Sequence, residues 1–133
     1  MDINTKGRYA VRIMTYLASQ TNVSSVTEIA LIEGISVKYL EKILSMLKKA
    51  NLVCSHKGVS GGYVIARPVT EITLKDILDA TDNKIEIAPC VGDKSCPNLA
   101  ACSTAFVWND LNGLISDFLQ KTTLYDLLNN KRN

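Results

Sequence analysis

Three cysteines, Cys90, Cys96 and Cys102, stand at two equal spacings in the run C-x5-C-x5-C. Thiolates gathered in so short a stretch can share one metal site. The spacing differs from the C-x2-C pairs of structural zinc and of thioredoxin-like redox motifs. It is nearer the wider spacings by which a loop wraps an iron–sulfur cluster. A fourth cysteine, Cys54, stands apart and is expected to pack as a small apolar side chain.

The rest of the chain must position these thiols. Its 133 residues allow one domain with a real core, or a small domain plus an appendage. Hydrophobic residues make up 47%, yet no apolar run approaches membrane-spanning length. The opening MDINTKGRYAVRIM lacks an apolar stretch ending in small residues, so no secretory signal is read and a cytoplasmic location is expected. Thiols stay reduced there, which disfavours a disulfide framework. The net charge of +2 hides an asymmetry: residues 1–67 carry nine Lys/Arg against four Asp/Glu, and residues 68–133 carry six against nine. A basic half joined to an acidic half suits a nucleic-acid reader with a regulatory module. Ordinary globular proteins also show excesses of this size by chance, so charge alone decides little.

Ala10, Ile13, Met14, Leu17 and Ala18 recur at helical spacing and predict an amphipathic helix over 6–20. Ser25-Val26-Thr27-Glu28 has the form of a capping box, opening a short helix with Ile29, Ala30 and Ile32 that Gly34 stops. Ser36 is placed to cap the next helix, whose Val37, Leu40, Ile43, Leu44 and Leu47 form one apolar stripe. Helix, tight glycine-containing turn, helix is a helix-turn-helix pattern. Leu52 to Lys57 and Tyr63 to Ala66 read as strands around a glycine-rich turn, which adds a wing, and Pro68 ends the unit. Thr73 caps a further short helix, with Asp76 completing the cap. Residues 82–101 lose periodicity and read as a loop. Beyond it Phe106, Leu111, Leu114, Ile115, Phe118 and Leu119 mark a long helix expected to pack against a partner subunit. The alternative is that this helix folds back on its own domain. A last short helix opens at Thr123-Leu124-Tyr125-Asp126, and 129–133 are expected to fray.

On the helix from Ser36, the side opposite the apolar stripe presents Lys38, Lys42, Ser45 and Lys49, with Tyr39 and Glu41 beside them. In a helix-turn-helix the first residues of the second helix approach base edges, while lysines farther along neutralise phosphates. Tyr39 can stack or donate a hydrogen bond, and Glu41 can accept from a cytosine amino group. The competing reading is a solvated helix face with ordinary charge pairs. His56, Lys57 and Arg67 flank the glycine-rich tip, where a cation suits a wing entering the minor groove. His56, the single histidine, is expected to face phosphate or solvent and not a metal.

The opening TKGRYAV, the stretch GISVKYLEKILSMLKKANLV, the wing GVSGGYVIAR and the cysteine run ahead of a helix resemble the IscR-like family. These are iron–sulfur-dependent repressors and activators whose superfamily includes NsrR, RirA and the cluster-free CymR. The resemblance covers essentially the whole chain. It implies a winged-helix homodimer on palindromic promoter DNA, with cluster occupancy changing which promoters are bound or how tightly. By that resemblance Cys90, Cys96 and Cys102 match the thiolate ligands, and Tyr39, Glu41 and Lys42 match recognition-helix positions. Lys57 stands where IscR has a wing arginine, and the two cations are not equivalent in a narrow groove. The fourth ligand departs from the pattern. IscR places a histidine where this chain has Ala105, and NsrR-type relatives use an aspartate where it has Arg8. Arg8 is grouped instead with the residues expected at DNA. The oxygen donors near the loop are Glu86, Asp93, Ser103, Thr104, Asn109 and Asp110. A two-iron cluster needs four ligands, whereas a four-iron cluster tolerates one iron held by solvent. The resemblance favours two irons and the missing histidine favours four, so 2Fe–2S is only slightly preferred over 4Fe–4S, with an oxygen donor or solvent at the fourth corner.

The expected architecture is mainly α with a small β-hairpin: a winged helix-turn-helix over 1–81, a cysteine-bearing loop over 82–102, and a dimerisation helix plus short helix over 103–133. The expected function is a homodimeric, sequence-specific regulator of transcription that binds double-stranded DNA through Ser36, Lys38, Tyr39, Glu41, Lys42, Lys49, Lys57 and Arg8. Its cluster senses iron–sulfur or redox status, and no membrane partner is expected. Competing readings give the thiols a zinc or direct redox role, or make the helix-turn-helix a scaffold for electron transfer. An enzyme is disfavoured, since no Gly-rich phosphate loop or nucleophile–base pair is legible.

Overall fold

The structure is a computed structural model that describes residues 2–85, 87 and 103–129. Three helices open the chain: α1 (Thr5–Ser19), α2 (Val26–Glu33) and α3 (Val37–Lys49). Each starts on a side-chain cap. The amide N–H of Gly7 donates to Asn4 Oδ1 at 2.7 Å, that of Glu28 to Ser25 Oγ at 3.1 Å, and that of Tyr39 to Ser36 Oγ at 3.1 Å. At α2, Ser25 supplies its half of the expected capping box. Gly34 closes α2 with φ of 68°, a left-handed conformation that glycine adopts without strain. This residue makes the tight turn between α2 and α3.

An antiparallel hairpin follows, β1 (Val53–His56) and β2 (Gly62–Ile65), in the register Val53↔Ile65, Cys54↔Val64, Ser55↔Tyr63 and His56↔Gly62. It is anchored to the loop before α2. Ser24 N–H donates to the Tyr63 carbonyl at 3.1 Å, and Tyr63 N–H to the Ser24 carbonyl at 2.8 Å. The approach is so close that a Cβ on Gly62 would lie 2.1 Å from the Ser24 carbonyl oxygen. A winged helix with a third, single-residue strand contact results.

The core follows the helical periodicity for most of its members: Ala10, Ile13, Met14 and Leu17 of α1, Ile29 of α2, and Leu40, Ile43, Leu44 and Leu47 of α3 are buried together with Leu52, Ile72 and Ile77. Ile32 in the last turn of α2 and Val37 at the start of α3 are exposed instead, since the ends of two short helices reach past the core. α4 (Leu74–Ala80) carries the expected reciprocal cap between Thr73 and Asp76. α5 (Ala105–Lys121) and α6 (Leu124–Asn129) complete the described chain, and Thr123 and Asp126 cap α6 reciprocally. Leu74 N–H donates to the Thr122 carbonyl and Leu124 N–H to the Ile72 carbonyl, both at 2.8 Å, which ties the end of α5 to the start of α4.

α5 has no buried residue. Its half-buried face, with Ile115 and Leu119, lines a cleft against Leu78 and Asn83 at α4. Val107, Leu111, Leu114 and Phe118 lie elsewhere on the helix, 40%, 42%, 68% and 59% exposed. Their 4-3-4 spacing is that of a coiled-coil seam. No described helix is long and apolar enough to cross a membrane.

Candidate nucleic-acid interface and cysteine segment

The short turn at Gly34 fixes how α3 is presented, and α3's amphipathicity decides which side faces out. Leu40, Ile43, Leu44 and Leu47 hold it to the core. Lys38, Lys42, Ser45 and Lys49 are exposed on the opposite side, with Glu41 exposed at its edge. The three lysines thus form one cationic stripe unopposed by any described ion pair, since those join Arg12 to Glu33, Arg67 to Asp76 and Lys75 to Asp79.

Tyr39 is half-buried, its ring edge-to-face on Tyr9 of α1, with centroids 6.1 Å apart and planes at 87°. The Arg12 guanidinium lies 5.1 Å from the centroid of that same Tyr9 ring and pairs with Glu33 at 3.1 Å. The Arg12–Glu33 pairing is Coulombic, since Glu33 Oε1 accepts no hydrogen bond among the described residues. The Glu33 side chain is buried while that of Arg12 is more than half exposed, so solvent screens the pair from the arginine side. Tyr9 and Arg12 together hold the helix-turn-helix against α1. A second strut joins the Tyr16 hydroxyl, as donor, to the Glu28 carboxylate. The hydrogen bond to Glu28, then desolvation, then that negative charge raise the Tyr16 pKa above its ordinary value.

Beside α3 the wing encloses a concavity of about 550 Å³ lined by Lys48, Ser55, His56, Lys57 and glycines of the turn. Lys48 donates to Ser55 Oγ at 2.7 Å, bridging α3 to the hairpin. Lys57 and His56 are exposed on the wing, as the sequence implies. Three details differ from expectation. Arg67 lies at the base of the hairpin, held 3.4 Å from Asp76, and not at its tip. Cys54 is exposed, because its position on β1 alternates away from the buried Val53. Lys48 was not singled out in the sequence, since only the strand register brings it to Ser55. Arg8 is exposed on the first turn of α1, where it donates to Thr5 Oγ1 at 3.3 Å, a separate helix from the α3 stripe.

Cys90, Cys96 and Cys102 lie outside the described residues, as do Glu86 and Asp93. Among the described residues no group of three His, Cys, Asp or Glu side chains could hold a metal. Downstream of the cysteines, Ser103, Thr104, Asn109 and Asp110 are exposed around the start of α5, and Ala105 supplies no donor. By residue type, the donors of the segment and of the start of α5 are three thiols with hydroxyl, amide or carboxylate oxygen. Structural zinc favours closure by four nitrogen or sulfur ligands, whereas iron–sulfur clusters are held chiefly by thiolates.

Comparison with known proteins agrees with this geometry. The model of the Rrf2 family, described as an iron-dependent transcriptional regulator, matches residues 3–130. The chain is 38% identical over 133 residues to the HTH-type transcriptional regulator IscR of Pectobacterium atrosepticum, covering 98% of this chain and 81% of that one. Among solved structures it resembles CymR, the global cysteine regulator of B. subtilis, with a TM-score of 0.81, 32% identity and 99% of each chain covered. It also resembles T. potens IscR, with a TM-score of 0.76, 30% identity and coverage of 99% of this chain and 89% of that one.

Proposed function

Since the chain belongs to the Rrf2 family of transcriptional regulators, we propose that it acts as a homodimer on palindromic promoter DNA, with an iron–sulfur cluster as its sensor. The observation that carries the DNA reading is the stripe Lys38, Lys42 and Lys49, exposed opposite the buried face of α3. Ser36, Lys38, Tyr39 and Glu41, at the start of α3, face base edges. Glu41 accepts from a cytosine amino group, and Lys42 and Lys49 neutralise phosphates. Tyr39, held by Tyr9, brings a pre-set ring to the groove. Lys57 enters beside the minor groove, with Lys48 and His56 lining the same concavity, and Arg8 adds a cation from α1.

Residues 1–81 form the DNA-binding unit, 82–102 the ligand-bearing segment and 103–133 the dimer contact. Two copies of α5 meet along Val107, Leu111, Leu114 and Phe118, which gives that exposed apolar seam the burial it lacks in one chain. Cys90, Cys96 and Cys102 would hold the cluster, 2Fe–2S in preference to 4Fe–4S, with an oxygen donor or solvent at the fourth corner. When bound, the group supplies reversible electron transfer and oxidant sensitivity. The chain's own part would be to offer three thiolates, their protons released to solvent, and to leave one corner without a strong ligand. Anaerobic reconstitution with iron and sulfide tests this: visible charge-transfer absorption is expected, and it disappears in Cys96→Ala. Absorption that never forms, or that survives this substitution, contradicts the sensor.

The likeness to Staphylococcus aureus CymR, solved in an oxidized form, favours one other reading, in which the same thiols switch directly or hold zinc. Metal and acid-labile sulfide analysis of anaerobic protein separates the two, since zinc without sulfide belongs only to the second.

A further inference from the structure

Asn83 is a polar side chain only 5% exposed, three positions past the end of α4 and seven before Cys90. The chain turns sharply into it: Asp82 has φ of 55°, and Asn83 N–H donates back to the Leu78 carbonyl at 2.9 Å. Both ends of its amide are used across a large sequence distance. Asn83 Oδ1 accepts from Asn4 N–H at 2.8 Å, and Nδ2 donates to the Asp2 carbonyl at 3.2 Å. Asn4 is the cap of α1. Gly7 leaves room for the clasp, because a Cβ there would lie 2.7 Å from Asn83 Oδ1.

The end of α4, which leads in sequence into the cysteine segment, is thus fastened to the N-cap of α1 and to Asp2 just before it. One turn along, the same helix holds the DNA reader through the Tyr9–Tyr39 and Arg12–Glu33 contacts. A helix moves as a rigid element, and a buried amide pairing is either made or broken, so its two arrangements are discrete.

The geometry points to Asn83 as a positioning residue that transmits the state of the cysteine segment to the recognition helix, through the cap of α1. This rests on the cluster reading of Cys90, Cys96 and Cys102. A clasp that only stabilised the fold would change affinity for DNA equally with and without the cluster. A coupling residue changes the ratio of the two.

The test uses the full chain and a palindromic duplex selected from random sequence by the wild-type protein. Affinity is measured by fluorescence anisotropy on reconstituted and on chelator-stripped protein. The wild-type ratio is expected to be at least about fivefold, the lower end of allosteric couplings. Asn83→Ala keeps the charge-transfer absorption and the stripped-protein affinity within about twofold, while its ratio falls to within about twofold of one. Asn83→Asp keeps the acceptor for Asn4 N–H but loses the donor to Asp2, so its ratio falls between. If Asn83→Ala does not fold, Asn83→Asp decides alone. Wild-type absorption with a ratio unchanged by either variant overturns the coupling while leaving the cluster reading intact. A wild-type chain that forms no absorption overturns both.

Discussion

Leu114→Ala should weaken a dimer built on α5 by about two orders of magnitude. Leu114 is 68% exposed in the single chain, the largest exposure in the seam it shares with Val107, Leu111 and Phe118. Replacing leucine by alanine removes three carbons, worth together about 2.4 kcal/mol if fully transferred from water, at ~0.8 kcal/mol each. Only the fraction still facing water can be gained on association, which leaves about 1.6 kcal/mol per subunit. A two-fold interface counts the change twice, for about 3 kcal/mol, or roughly a hundredfold in the dissociation constant at 1.4 kcal/mol per decade. Sedimentation equilibrium over a concentration series measures it. Gln120→Ala, an exposed position off the seam, serves as control and should shift the constant less than about twofold. The reasoning is refuted if Leu114→Ala dissociates no more readily than Gln120→Ala.

Gly34→Ala forces a left-handed φ on alanine with open space around its Cβ, so it should cost about 1–2 kcal/mol by thermal melting, from backbone strain alone. Gly62→Ala drives its Cβ into the Ser24 carbonyl. The cost should reach about 2–3 kcal/mol, with the wing losing its amide protection against hydrogen exchange first. Lys42→Ala should weaken binding to all duplexes alike and flatten the salt dependence by about 1 unit of slope per subunit. The Tyr16 phenol has its folded pKa raised above the unfolded value near 10. Its contribution to stability is therefore fully present below that unfolded pKa and disappears as pH rises through the folded pKa. Wild type should melt above Tyr16→Phe at pH 8, and the gap should close in strongly alkaline solution.

The helix-turn-helix was legible because its signals are local: caps at Ser25 and Ser36, a left-handed glycine at Gly34, and apolar periodicity that the core reproduces except at Ile32 and Val37, which stay exposed. The seam on α5 was legible as an apolar stripe, though periodicity alone does not say which of its members face α4. Ile115 and Leu119 do, while Leu114 and Phe118 face outward. What the sequence hid is non-local. The clasp of Asn83 on Asn4 spans 79 residues, and Lys48 reaches Ser55 only once the strand register is set. Arg67, read as flanking the tip, stands at the hairpin base because β2 ends at Ile65, and Asp76 of a later helix pairs with it there. Cys54 was misjudged because a half-buried strand exposes every second residue, and cysteine's usual preference for burial does not set the phase.

In the proposed complex the lysine stripe of α3 and the wing bind DNA as a two-fold pair. Its most direct measurement is the affinity for a palindromic duplex as a function of salt. With Lys42, Lys49 and Lys57 each neutralising one phosphate in both subunits, log K should fall linearly against log salt with a slope of about −5. A slope near zero would contradict the account.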